Sequence, residues 1–260
     1  MQLKPGERVT AILRADLRDV KTLFMVTKNG TVKRTDVEEF QNIRRSGLIA
    51  QKLPEGDDLQ WVVTTNGTSD MLLLTRQGKA IRFKEDDVRS MGRAAAGVRG
   101  IKLTGGDHVV EAAAVRDAKK SKLLVIMENG LGKMSSVEEY RFQGRGGTGV
   151  KAAQLTTKTG NIVGGCVLEE GADGDLLCLS KQGQAIRMRL ADIPLQGRAT
   201  QGVIVMRLDS GDKVASMSVV LRDEEAEKAV SEAAREEWEE EVEGIAAKDR
   251  PKPRKGEVAV

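Results

Sequence analysis

A chain of 260 residues, 40% hydrophobic and 31% charged, can bury one or two sizeable cores. It has no run of 18 apolar residues, and Met1 to Pro5 lacks an apolar signal-type region, so it reads as cytoplasmic with no membrane partner. The formal charge of +3 is unevenly spread: residues 222–243 sum to −8 and residues 244–260 to +3, leaving +8 on residues 1–221, a basic body suited to a polyanion.

The chain opens on LKPGERV. Its Leu3, Gly6-Glu7 and Val9 share the pattern of Leu53, Gly56-Asp57 and Leu59, and of Leu208, Gly211-Asp212 and Val214. Residues 1–20 therefore read as the last hairpin of a partial first blade. Four repeats follow, at about 21–70, 71–122, 123–175 and 176–221. Each opens with an apolar run ending at a glycine: LFMVTKNG to Gly30, MLLLTRQG to Gly78, LLVIMENG to Gly130 and LLCLSKQG to Gly183. The spacings of 48, 52 and 53 residues lie in the range of propeller blades. A second glycine precedes an aliphatic residue at Gly47-Leu48, Gly97-Val98, Gly149-Val150 and Gly202-Val203. Six residues after it stands Leu53, Leu103, Leu155 or Leu208.

Each repeat is expected to hold four short strands, in the second repeat Met71–Thr75, Lys79–Phe83, Val98–Leu103 and His108–Val115. Gly78 supplies the positive φ of a two-residue hairpin turn. Gly106-Asp107 is read as a second hairpin, joining strands three and four. The third repeat has Thr159-Gly160-Asn161 there, which predicts a remodelled turn. Ten residues past the first glycine an apolar side chain recurs, as Phe40, Val88, Tyr140 and Ile193. Cys166 and Cys178, without a CxxC or a nearby histidine, read as small hydrophobes. Residues 223–243 suggest an acidic helix with a thin stripe of Ala226, Val230, Ala233 and Trp238, and KDRPKPRKGEVAV a disordered basic end. The fold class is all-β: a propeller-like array of about four four-stranded blades plus a partial one over residues 1–221, with an acidic helical or disordered tail over 222–260.

Glycines serve turns and leucines serve cores, so the columns that bear on function are the polar ones. Arg34, Arg82 and Arg187 stand four residues after the first glycine, with Lys33, Lys84 and Arg189 beside them and Lys133 one place earlier in the third repeat. Arg93, Arg145 and Arg198 stand four residues before the second glycine, where the first repeat has Arg44 and Arg45. Arg99 and Lys151 follow that glycine. On stacked blades such columns form a basic stripe along one rim, suited to a bent phosphate backbone. The loops RRSG, GRAAAG, GRGGTG and GRATQG let backbone N–H groups approach phosphates closely. Aromatic residues are only 3% of the chain, which argues against single-strand binding by base stacking. Sequence-independent binding of double-stranded DNA is the expectation. No metal or cofactor site is expected, and no catalytic residue: Tyr140, the only tyrosine, reads as a packing residue and His108 as solvated.

The segments VTKNGTVKRT, RSMGRAAAGVRGIKL, NGLGKMSSVEEY and GRATQGVIVMRL resemble the C-terminal domain of DNA gyrase A subunits over roughly residues 1–221. The resemblance implies a β-pinwheel, a six-bladed propeller relative whose blades exchange strands and wrap duplex DNA around a basic rim. The partners it implies are the gyrase A breakage-reunion domain and the gyrase B subunit. The role it implies is support of negative supercoiling by the whole ATP-dependent enzyme. The family's QRRGGKG box has only a degenerate counterpart at Gln143 to Gly149. By the same resemblance one blade and the start of another are missing on the N-terminal side, and with them the catalytic tyrosine domain. That leaves a second expectation: an interaction or complementation fragment that acts when paired with the rest of a split gyrase or topoisomerase IV A subunit.

Overall fold

The computed structural model describes residues 9–13, 20–41 and 47–222. The chain divides into two units, Met1–Val220 and Leu221–Val260. The expected acidic helix and basic tail, Arg44, Arg45 and most of the partial blade at 1–20 lie outside the described residues.

The described residues form antiparallel sheets built from β1 (Thr22–Thr27), β2 (Thr31–Asp36), β3 (Leu59–Thr65), β4 (Asp70–Thr75), β5 (Lys79–Lys84), β6 (Val98–Arg99), β7 (Val109–Val115), β8 (Ser121–Met127), β9 (Leu131–Ser136), β10 (Val150–Lys151), β11 (Ile162–Glu169), β12 (Gly174–Ser180), β13 (Ala185–Arg189), β14 (Val203–Ile204) and β15 (Val214–Leu221). Short 3-10 turns at Val37–Phe40, Glu85–Asp87, Val137–Glu139 and Leu190–Asp192 follow the second strand of each repeat. The expected apolar residue closes or follows each turn; Val88, Tyr140 and Ile193 are buried and Phe40 half-buried.

Strand order corrects one expectation. The sheets run β3-β1-β2-β6, β10-β5-β4-β7, β11-β8-β9-β14 and β13-β12-β15. The third strand of a repeat is two residues long and pairs with the second strand of the preceding repeat, not with its own fourth strand. Val98 lies opposite Val32, Val150 opposite Ala80 and Val203 opposite Gly132. The Gly106-Asp107 turn is present, but the strands it joins belong to different sheets. The turn aspartate has a separate duty: Asp57, Asp107 and Asp212 accept the backbone N–H groups of Asn29, Gln77 and Gln182, pinning the first hairpin turn of their own repeats. In the third repeat the Thr156–Asn161 turn is indeed rebuilt, and Asn129 reaches across to Thr157 and Lys158 carbonyls. A second correction follows from the exchange: the fourth sheet has three strands, because it takes none from a later repeat among the described residues.

Blades stack on both faces, so their strands read as continuous apolar runs without alternation. Met71, Leu72, Leu73 and Leu74 are all fully buried. Met71 and Leu73 pack on Phe24 and Val26 of the first blade, and Leu72 and Leu74 on Leu123 and Val125 of the third. Leu124 and Ile126 in turn meet Leu176 and Cys178 of the fourth. Each such leucine contributes about 1.5–3 kcal/mol by leaving water. The buried Glu85 carboxylate is satisfied between the first two blades, accepting from Thr22, Thr65 and the Ser69 N–H. Tyr140 is fully buried, its hydroxyl 2.8 Å from that of Ser135, and burial pushes its pKa up to about 12. Cys178 is buried and Cys166 half-buried; burial raises both thiols to about 11, in keeping with their reading as small hydrophobes.

Candidate nucleic-acid interface

Strand exchange fixes where the glycine-rich loops lie. To deliver β6, β10 and β14 to the preceding sheet, the chain must run alongside the second strand of that sheet. Met91 N–H donates to Arg34 O, Gln143 N–H to Arg82 O and Gln196 N–H to Met134 O. Successive loops are then tied to one another. Lys52 N–H donates to Ala95 O (3.3 Å), Lys102 N–H to Gly147 O (2.8 Å) and Gln154 N–H to Thr200 O (2.9 Å). These three bonds occupy the same register, so the loops at 92–97, 144–149 and 197–202 are coupled in series.

The loop arginines are part of this tie. Arg145 Nε donates to Asp87 O at 2.8 Å, and Arg198 Nη1 donates to Lys151 O at 2.7 Å. Arg93 lies 3.8 Å from Glu39. Arg145 remains exposed, Arg93 and Arg198 partly so. Arg99 and Lys151, in equivalent positions on the donated strands β6 and β10, are exposed, as are Lys84 and Arg189 at the ends of β5 and β13. The sequence reading missed exposed Arg89 and Lys102; Lys102 has the signal of sharing its column with exposed Lys52.

Five of the expected contacts are placed differently. Lys33 and Lys133 are fully buried, which removes them from the surface. Lys33 Nζ donates to Ala50 O (2.6 Å) and Arg93 O, and Lys133 Nζ to Gly197 O (2.9 Å) and Arg198 O. Lys133 thus holds two carbonyls of the next repeat's loop, and Lys33 bridges Ala50 of its own repeat to Arg93 of the next. The column itself carried the clue, since it reads Lys33, Ile81, Lys133, Ile186, and a lysine alternating with isoleucine marks an interior position. Arg82 is also buried, donating to Val137 O at 2.9 Å and lying 4.1 Å from the centre of the Phe142 ring. Arg187 is exposed but bound through both Nε and Nη2 to Asp175 on its own hairpin. Arg34, half-buried, is paired at 2.6 Å with Asp86.

Burial lowers the pKa of Lys33, and that of Lys133 to about 8, because the interior penalises the ammonium. A folded pKa below the unfolded 10.5 means the unfolded chain binds more protons between about pH 8 and 10.5, so this residue's contribution to stability rises with pH across that window. The unfolding free energy of the protein minus that of Lys133→Met is expected to increase from pH 8 to pH 10, measured by urea titration at each pH. His108, half-buried, has its pKa lowered, first by burial and then by Lys28 and Arg76. Among the described residues no helix is long and apolar enough to cross a membrane.

Blades that trade an outer strand with the preceding sheet, with rim loops chained in one register, define a β-pinwheel, the strand-exchanging relative of the propeller. The profile of the family described as DNA gyrase C-terminal domain, beta-propeller, matches residues 21–66, 69–116, 121–164 and 174–221, and the chain belongs to that family. It is 40% identical over 237 residues to the DNA gyrase A subunit of Haloquadratum walsbyi, covering 89% of this chain and 27% of the relative. Against the gyrase A subunit of Staphylococcus aureus MRSA252 the figures are 37% over 249 residues, 93% and 28%. The chain thus spans about a quarter of the length of the gyrase A subunits it matches. A solved DNA gyrase A C-terminal domain superposes with a TM-score of 0.67 at 28% identity, covering 79% of this chain and 68% of that one. The C-terminal domain of DNA topoisomerase IV gives 0.73 at 25%, covering 80% and 64%.

Proposed function

We propose that this chain binds duplex DNA without sequence preference and bends it along the rim, as the wrapping domain of a type IIA topoisomerase A subunit. The observation that carries this reading is the register of the rim. Arg99 and Lys151 project from equivalent donated strands, Arg145 and Arg198 occupy equivalent loops, and hydrogen bonds link those loops. A duplex laid along the rim meets a cation from each successive blade, and a series of contacts following a curved path favours bent DNA over straight. The loops offer no base-reading element, so the contacts position the backbone without selecting sequence.

Strand cleavage, supercoiling and the breakage-reunion and gyrase B partners belong to this proposal through the gyrase A relatives. In it the chain itself supplies DNA geometry, uses no cofactor and works in the cytoplasm. Affinity for a duplex of about 40 base pairs, measured from about 50 to 400 mM salt, is expected to fall with a log–log slope of about −0.9 for each phosphate neutralised. Binding that is absent, or that ignores salt, both in the full chain and in the chain ending at Arg222, sinks the proposal.

A further inference from the structure

Three joints between repeats are filled, and they share one construction. The donating glycine is pressed against the receiving strand. A Cβ on Gly97 would lie 2.6 Å from Val32 O, on Gly149 2.6 Å from Ala80 O, and on Gly202 2.5 Å from Gly132 O. The leucine six residues later covers the receiving hairpin glycine: Leu103 over Gly30, Leu155 over Gly78 and Leu208 over Gly130.

The first and fourth repeats each carry half of a fourth such joint. A Cβ on Gly47, the first donor, would meet nothing within 4 Å. Ile49 is 70% exposed and Leu53 41%. At the other end a Cβ on the receiving Gly183 would also meet nothing within 4 Å. Ala185 is exposed, where its counterparts Val32 and Ala80 are fully buried. On the strand behind it Leu177 is 37% and Leu179 49% exposed, while their counterparts Leu72 and Leu74 in the second blade are at 0%. Among the described residues no strand pairs with the outer edge of β13. Ser180 N–H donates to Gln184 O, so Gln184 faces inward and the alternation turns the Ala185 N–H and C=O outward. The charges that guard an edge strand, Arg187 and Arg189, lie beyond this docking half.

We propose that the Gly47–Leu53 segment of one copy of this chain adds to β13 of a second copy, so that chains associate head to tail. The filled joints fix the register: Leu48 opposite Ala185, Ile49 opposite Gln184 and Leu53 over Gly183. A second copy is the occupant because both halves lie among the described residues of one chain and do not pair there: Gln51 Nε2 donates to Ala96 O at 2.8 Å, beside the loop of the second repeat, while β13 pairs with β12 alone among the described strands. The contact is heterologous, with one donor and one acceptor per chain.

Sedimentation velocity of the full chain without DNA, from about 1 to 200 µM, reads the association, which a joint of this size places in the micromolar range or weaker. The wild-type mass is expected to rise with concentration. The donor variant Ile49→Asp with Leu53→Asp and the acceptor variant Leu179→Asp with Ala185→Asp are each expected to stay single. Mixed in equal amounts they form a two-chain complex and nothing larger, since each retains one working half. A wild type that is a single chain throughout overturns the proposal, whether its own segment closes the joint or another protein supplies the strand. So does association that survives in either variant alone. Should a paired variant fail to fold, Ile49→Asp alone, at the most exposed position, replaces it: a single chain supports the joint and persistent association overturns it.

Discussion

Replacing Arg99, Arg145, Lys151 and Arg198 together with glutamine is expected to weaken duplex binding about a thousand-fold at about 0.1 M salt. The salt slope should become shallower by three to four, since each cation that neutralises one phosphate contributes about 0.9. The four residues divide into two kinds. Arg99 and Lys151 are exposed on the donated strands, so their replacement should cost little stability. Arg145 and Arg198 also donate to Asp87 O and Lys151 O, and losing these bonds costs about 1 kcal/mol each in folding. Fluorescence anisotropy with a labelled duplex, beside a urea titration of each variant, separates the two effects. Binding that persists with an unchanged slope moves the interface away from these loops.

Gly149→Val is expected to destabilise the fold by about 3 kcal/mol or more, by two mechanisms acting at one atom. The residue has φ +71°, a region that β-branched side chains avoid, and its Cβ would stand 2.6 Å from Ala80 O. The neighbour that must yield is backbone of β5, so relief requires lifting β10 from the sheet. Because repeats couple mainly to their neighbours, loosening this joint is expected to divide unfolding into two transitions. Calorimetry reads both the shift and the splitting. Gly92→Ala is the control: its added Cβ meets nothing within 4 Å and its φ is not positive, so the change should be nearly neutral.

The period, the four strands of the second to fourth repeats and the burial of apolar runs were legible in the sequence because glycines and leucines recur in fixed columns, whereas the first repeat forms three strands among the described residues. Strand exchange came through the family resemblance and not from the local pattern. The Gly106-Asp107 turn reads as a hairpin locally, and nothing in a contiguous string marks Val98 as the partner of Val32 in an earlier repeat. Of the candidate site, the loop arginines and the pair Arg99 and Lys151 were read by register as rim residues, and the structure leaves them exposed or partly exposed. Lys33, Lys133 and Arg82 were misread as surface residues by charge alone. For the lysines, alternation with Ile81 and Ile186 already marked an interior column. For Arg82, the cause is tertiary: the loop of the next repeat brings Phe142 over its guanidinium.

Under the proposed function a basic residue can also serve the rim without touching DNA. Lys133 donates to Gly197 O and Arg198 O while Arg198 donates to Lys151 O, so a loop rich in small residues is tied at several points. A preformed loop spends less binding energy on ordering itself when a phosphate arrives.

The most direct test of DNA wrapping is the linking number of a relaxed plasmid, closed by a nicking-closing topoisomerase with increasing amounts of the full chain bound and then stripped of protein. The rim reading predicts a shift of one sign that grows with the protein-to-DNA ratio and disappears in the four-residue glutamine variant. Tight binding with no change in linking number at any ratio contradicts it.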